Sequence, residues 1–206
     1  TYDSLQDNWA KDIPPFPIDD DNGQPIGEVQ VKIEDLQAYF NVNNLYDAQK
    51  KKPRASMIKI FQTVLQTAEM LPTSFANSVV DWIDPDDDLI DPDSAESDYY
   101  STQEKPYQAS NAFLLDSNEL RIIKLGNISD PEEKKKSLDA LMPLVTALPT
   151  PAALNVNTAS EKVLTAIGLT IQQAQAIVQE RDAAPFKTIA DVNKLVPNLS
   201  AEHKVL

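Results

Sequence analysis

The feature that most constrains this chain is an acidic stretch, Asp81–Tyr100, in which nine of the twenty residues are Asp or Glu. No Lys or Arg occurs between Ile60 and Glu104 to neutralise them. Like charges in a run normally favour a solvated, disordered segment. Large apolar and aromatic residues interrupt this run, and we expect them to hold the loop and its carboxylates against a core. They are Trp82, Ile83, Leu89, Ile90, Tyr99 and Tyr100.

Carboxylates held close together repel one another unless a proton or a cation neutralises some of them. Ca²⁺ takes roughly six to eight oxygen ligands and suits such a loop. Asp84–Asp88 matches the D-x-D-x-D start of a calcium-binding loop. Leu89 and Ala95 replace the turn glycine and the bidentate Glu of an EF-hand, so the sequence predicts a calcium loop of another type. The candidate ligands are Asp84, Asp86, Asp88 or Asp91, Glu96 and Asp98; the alternative is a solvated acidic loop without a metal.

Composition excludes several function classes. The net charge of −14 over 206 residues argues against nucleic acid or an anionic membrane surface as the main partner. The chain has no Cys, so disulfides and thiolate metal sites are excluded. No apolar run approaches the roughly 18 residues that a membrane-spanning helix needs.

Catalytic signals are weak. His203 is the sole histidine, and the sequence contains neither a Gly-x-Ser-x-Gly motif nor a glycine loop for phosphate. A pair of carboxylates in the acidic stretch is conceivable as the acid and base of a glycosidase, but such crowding in one loop suits a cation better. The sequence therefore predicts a protein that is not an enzyme.

Apolar periodicity predicts the elements of the first half. Tyr2, Leu5 and Trp9 have helical spacing, so Thr1–Asp12 is predicted to be the end of a helix. Gly27–Asp35 alternates apolar and polar residues like a strand. An amphipathic helix is predicted at Ala55–Leu71, and a short one at Phe75–Ile83 leads into the acidic stretch.

The last fifty residues contain three short helical patterns. Helices at Ser160–Ile167 and Ile171–Arg181 are joined through Gly168, which is the arrangement of a helix-hairpin-helix. A third begins near Thr188. When such a unit binds DNA, its hairpin N–H groups and nearby cations contact phosphate. With one hairpin glycine and an acidic chain, we predict a helical packing module, and DNA binding remains the alternative.

Motifs spread along the chain resemble, in order, those of the K-type minor pseudopilin of bacterial type II secretion (general secretion pathway protein K). They are Ile33–Leu36, Phe40–Leu45, Asp81–Asp84, Ala95–Tyr100, Pro106-Tyr107, Asn111, Glu119-Leu120, Leu148-Pro149, Asn155–Ala159, Arg181 and Phe186. The resemblance covers nearly the whole chain.

The resemblance implies an α+β fold: a pilin-like N-terminal helix and small antiparallel sheet, with a large all-α inserted domain and a final helix-hairpin-helix (SAM-like) unit. We expect residues 1–45 to form the pilin-like helix and strands, and residues 46–150 to form the inserted domain with the calcium loop. Residues 151–206 would form the helical unit.

The resemblance also implies a structural role at the tip of the periplasmic pseudopilus, where the protein would initiate or cap the fibre with the I-type and J-type minor pseudopilins. It implies calcium binding in the acidic loop, which carries over to Asp84, Asp86, Glu96 and Asp98. Members of this type are anchored in the inner membrane by an N-terminal apolar helix, which we expect to be absent from this chain. The partners are then expected along the N-terminal helix, at Tyr2, Leu5 and Trp9.

Overall fold

A computed structural model describes residues 2–68, 71–197 and 199. Helices dominate these residues and strands are short. The α-helices are α1 (Ala55–Thr67), α2 (Phe75–Ile83), α3 (Ser97–Ser101), α4 (Pro131–Leu141), α5 (Glu161–Ala166), α6 (Ile171–Ala183) and α7 (Ile189–Leu195). Single 3-10 turns lie at Asn8–Ala10, Leu36–Ala38, Val42–Leu45, Ser117–Arg121 and Met142–Leu144.

The strands of the described residues form three separate pairs. β1 (Phe16–Asp19) and β2 (Pro25–Val29) make an antiparallel hairpin, in which every residue is exposed. β3 (Phe40–Asn41) pairs in parallel with β6 (Val145–Thr146), which joins distant parts of the chain. β4 (Tyr46–Asp47) and β5 (Lys52–Pro53) form a second antiparallel pair. The expected mixture of helices and a small amount of sheet is therefore confirmed, although one pair is parallel.

Two N-terminal predictions are wrong in their details. Among residues 2–12 only Asn8–Ala10 forms a helical turn. A helix this short needs a packed apolar face to be stable, and Tyr2 and Leu5 are exposed. The strand predicted at Gly27–Asp35 instead ends at Val29. Pairing with β1 decides the extent of this strand, and the alternating residues beyond Val29 pair with no other strand in the part of the chain that the structure describes.

The core lies among the helices. α1 packs against α2 and α5, and α5 packs against α6. Phe61 of α1 and Phe75 of α2 are fully buried, and Phe40 of β3 stacks on Phe61 with ring centroids 5.5 Å apart. The short β3–β6 pair thereby borders the helical core.

Two Asn-Val-Asn segments, Asn41–Asn43 and Asn155–Asn157, have the same local structure. In each, the first side chain accepts the N–H of the second Asn, at 3.1 and 3.0 Å, and the Val is fully buried. The second amide then pairs with both backbone polar groups of one distant residue, Leu114 for Asn43 and Phe186 for Asn157, at 2.9–3.0 Å. Each segment thus fixes a loop to the core through buried, satisfied hydrogen bonds.

The three C-terminal helices follow the local signals closely. α5 and α6 are joined through Gly168, whose φ of +105° is readily available only to glycine. Thr170 and Gln173 form the capping box that begins α6, and Thr188 and Asp191 form the one that begins α7. The helix-hairpin-helix and SAM-like description of this region remains a prediction.

Candidate metal centre

Helix α2 supplies two carboxylates of the candidate site. Asp81 lies in its last turn, and Asp84 follows its end in an extended conformation, with its N–H bonded to the carbonyl of Val80 at 2.9 Å. Residues three apart lie on the same side of a helix, so the two carboxylates face the same space. The apolar residues around Asp81 pull this turn into the core, and Asp81 is fully buried.

The third carboxylate, Glu96, is brought back to α2 by the fold of the acidic stretch. Ser94, two residues earlier, donates its hydroxyl hydrogen to Asp81. Tyr100, four residues later, is fully buried and makes an edge contact with Trp82 of α2 at a centroid distance of 5.1 Å. Trp82, Ile83 and Tyr100 are therefore buried as the sequence predicts. The prediction is wrong for Leu89, Ile90 and Tyr99, which are 53%, 41% and 39% exposed.

Asp81, Asp84 and Glu96 converge on one point. Each offers a carboxylate oxygen, and these oxygens lie within 4.8 Å of one another. The three residues are 0%, 4% and 4% exposed. Oδ1 of Asp84 and both carboxylate oxygens of Glu96 are buried without a hydrogen-bond partner. Buried acceptors are nearly always satisfied, so these oxygens are available to a proton or to a cation.

The three carboxyl groups are costly to ionise together, because burial and mutual repulsion both disfavour their charged forms. Burial, together with the smaller effect of the Asp86 and Asp91 charges, raises the pKa of Asp81 to about 6, although hydrogen bonds from Ser94 and Ile90 lower it. Burial, followed by the charges of Asp86 and Asp81, raises the pKa of Asp84 to about 7.

Glu96 has the largest shift of the three. Burial and then the charges of Asp81 and Asp84 raise its pKa to about 8. A cation bound among the three groups would favour their charged forms and reverse these shifts.

The predicted ligands divide into two groups. Asp84 and Glu96 belong to the convergent cluster, together with Asp81, which was not among the predicted ligands. Asp86, Asp88 and Asp98 are exposed and Asp91 is half-buried; none belongs to the cluster. Asp86 is nonetheless near enough for its charge to raise the pKa of Asp84 and Glu96. The ligand assignment of these four residues remains a prediction.

The donor set fits a hard cation. All three converging groups supply oxygen, whereas Zn²⁺ sites are built mainly from Cys and His. The chain lacks Cys, and His203 lies outside the described residues. Ca²⁺ accepts a flexible set of roughly six to eight oxygens, including bidentate carboxylates and water. Asp81, Asp84 and Glu96 can supply part of that set.

The residues predicted to bind partners lie on the surface. Leu5 is 50% exposed and Tyr2 is 36% exposed, and Trp9 is half-buried. Leu5 and Trp9 line a groove whose other wall includes Val31 and Ile33. Tyr2 lies outside that groove, beside a shallower depression. No helix within the described residues is long and apolar enough to cross a bilayer.

Comparisons with known proteins agree with one another. Two family models, both described as "Type II secretion system (T2SS), protein K", match residues 38–150 and 154–204. The curated type II secretion system protein K of Pseudomonas aeruginosa is 34% identical over 97% of this chain, and the chain spans 57% of that protein. The protein K of Aeromonas hydrophila is 30% identical over 75% of this chain and 46% of its own length.

The fold has a counterpart among solved structures. A chain in the crystal structure of the GspK–GspI–GspJ complex of enterotoxigenic Escherichia coli superimposes with a TM-score of 0.76 at 23% identity. The match covers 98% of this chain and 70% of that one. The chain spans about half the length of the curated relatives it matches. From these family matches, the chain belongs to the protein K family of the type II secretion system.

Proposed function

We propose that this chain is the body of a structural, non-catalytic minor pseudopilin that assembles with I-type and J-type minor pseudopilins at the tip of the type II secretion pseudopilus. The observation that carries this proposal is the match of the family models to residues 38–150 and 154–204. It is supported by the likeness of the fold to a chain from a K–I–J complex.

The shape of the protein suggests how such a subunit would act. A pseudopilus grows by stacking subunits, and a bulky helical body such as α1–α7 would occlude the space above the subunit that carries it. A protein of this kind would therefore initiate or cap the fibre instead of propagating it. We place the protein in the periplasm, anchored to the inner membrane through an N-terminal apolar helix of the full-length protein.

The assembly proposal is tested by size-exclusion chromatography of the chain with purified I-type and J-type partners. We expect co-elution, and we expect Leu5→Asp or Trp9→Asp to weaken it because both residues line the N-terminal groove. Leu115→Asp is the matched control, since Leu115 is 87% exposed and lies far from Leu5 in the sequence. Separate elution of the wild-type proteins would contradict the proposal.

We also propose that Ca²⁺ binds among Asp81, Asp84 and Glu96 and has a structural role. The support is the set of unpartnered, buried carboxylate oxygens. The cation would neutralise their repulsion and tie the end of α2 to the start of α3. Binding to the folded state alone adds about 2.7 kcal/mol of stability at a hundredfold excess over Kd.

Equilibrium dialysis against calcium tests this proposal. We expect a stoichiometry of at least one ion per chain, which is lost in Asp84→Asn. Asp93→Asn is the matched control because it removes the same charge from an exposed position in the same stretch. If both substitutions weaken binding equally, the acidic stretch attracts calcium only through its overall charge.

DNA binding is the function that we do not favour. A net charge of −14 opposes contact with phosphates, and the family is a secretion family. A gel shift on duplex and single-stranded DNA at low salt would detect it. Tight binding there would overturn this preference.

A further inference from the structure

Lys124 contacts the chain on both sides of Glu96. Its ammonium group donates a hydrogen bond to the carbonyl of Ser94 at 3.0 Å and lies 5.0 Å from the centre of the Tyr99 ring. Its backbone N–H donates to the hydroxyl of Tyr100 at 3.3 Å. The three contacts therefore fall two residues before Glu96 and three and four residues after it.

Lys124 is also connected to the carboxylate cluster through Ser94. The hydroxyl of Ser94 donates to Asp81, while its carbonyl accepts from Lys124. Ala95, between Ser94 and Glu96, is 1% exposed, so this turn is fixed by burial as well as by hydrogen bonds. Lys124 itself is not a member of the cluster and, as a cation, is not a ligand for a metal.

We propose that Lys124 is the positioning residue of this metal site, which holds Glu96 opposite Asp81 and Asp84 so that a divalent cation finds its ligands already in place. The inference rests on the calcium site proposed above. Groups that orient metal ligands typically change metal affinity about 10–100-fold when they are removed. Since Lys124 acts through the backbone, we expect an effect near the lower value.

The direction of the effect separates positioning from simple charge. Coulomb repulsion between an ammonium group and a bound cation weakens binding, so removing the charge alone would tighten calcium binding. Removing a positioning contact would loosen it. Lys124→Met therefore has opposite expected outcomes under the two explanations.

The test is a calcium titration of the whole chain, monitored through the fluorescence of Trp82. This side chain contacts Tyr100. A Trp9→Phe background makes Trp82 the sole tryptophan, because the chain has two. We expect Lys124→Met to raise the calcium Kd about tenfold. Lys124→Arg keeps a cation that donates hydrogen bonds and stacks on aromatic rings, so it should rescue most of the affinity.

Lys134→Met is the matched control. Lys134 also donates to a backbone carbonyl, but this is the carbonyl of Ile123, at 3.1 Å, and not one in the segment around Glu96. We expect its calcium Kd to match the wild type. The melting temperature of every variant in chelator distinguishes a loss of calcium affinity from a loss of folding.

Tyr99→Leu keeps the inference testable if Lys124→Met does not fold. Tyr99 is 39% exposed, and removing its ring should raise the Kd roughly two- to fivefold. An unchanged or tighter Kd in Lys124→Met, or in Tyr99→Leu where it must stand in, would overturn the inference while leaving the calcium site intact. A wild-type chain that binds no calcium would overturn both.

Discussion

The most informative perturbation is Glu96→Gln, because it should stabilise the metal-free protein and remove its response to calcium. The pKa of Glu96 is raised from 4.5 to about 8 in the folded state. A carboxyl group with a raised folded-state pKa stabilises the fold fully below its unfolded pKa, and this contribution is lost as the pH rises through the folded value. For Glu96 the loss runs from about pH 4.5 to about pH 8.

The magnitude follows from the same pKa values. At about 1.4 kcal/mol per pH unit, the charge on Glu96 costs at most about 4 kcal/mol near pH 7.5. Partial protonation of the neighbouring Asp81 and Asp84 relieves some of the repulsion and lowers this cost, and we expect about 2 kcal/mol. For a chain of this size that corresponds to a melting temperature roughly 4–8 °C higher for Glu96→Gln in chelator.

Calcium should offset most or all of this difference in stability. At about 10 mM calcium, roughly 10–100 times the Kd of weak extracellular sites, the wild type gains about 1.4–2.7 kcal/mol, or roughly 3–11 °C. Glu96→Gln should gain much less, because it lacks one of the three converging carboxylates.

The assay is thermal unfolding followed by circular dichroism, in chelator and in calcium, at about pH 4.5 and about pH 7.5, which bracket most of the titration of Glu96. Glu104→Gln, at an exposed position just beyond the loop, is the control and should melt like the wild type. If Glu96→Gln is less stable than the wild type in chelator at the higher pH, the description of a repulsive buried cluster is refuted.

Three further substitutions test the fold by the same unfolding assay. Asn43→Leu should lower the free energy of unfolding by about 3 kcal/mol or more, because it leaves buried backbone groups such as those of Leu114 without hydrogen-bond partners. A change below about 1 kcal/mol would contradict the role of the Asn-Val-Asn segment. Gly126→Ala should cost about 1–2 kcal/mol, since its φ is +53° and a Cβ would meet a side chain at 3.1 Å; Gly27→Ala, with open space around it, is the control. Arg181→Met should cost about 2–4 kcal/mol, since buried Arg181 donates to two carbonyls; wild-type melting would contradict this.

Local signals predicted much of the helical framework. The bounds of α2 and the capping boxes of α6 and α7 could be predicted from the sequence, because caps and apolar stripes act within a few residues. The bounds of β2 could not, since they depend on pairing with β1. The N-terminal helix was mispredicted because helical spacing does not reveal that Tyr2 and Leu5 stay exposed, which leaves the segment without a packed apolar face.

The sequence indicated the acidic stretch as the location of the converging carboxylates, but it did not identify all three of them. Spacing along the loop emphasised Asp86 and Asp88, which are exposed, and passed over Asp81, which is fully buried. A usable signal was present: Asp81 interrupts an apolar helix and lies three residues before Asp84, on the same helical side. The return of Glu96 to α2 depends on tertiary contacts such as that of Trp82 with Tyr100, which spacing alone does not encode.

The central claim is that the acidic stretch is a structural calcium site, and its most direct test is the melting temperature in chelator, in calcium and in magnesium at matched ionic strength. Ca²⁺ tolerates an irregular oxygen site better than Mg²⁺, which demands near-octahedral geometry. We predict a calcium-selective rise of several degrees in the wild type, which disappears in Asp84→Asn. An equal response to both ions, or no response at about 10 mM, above the Kd range of weak calcium sites, would contradict the claim.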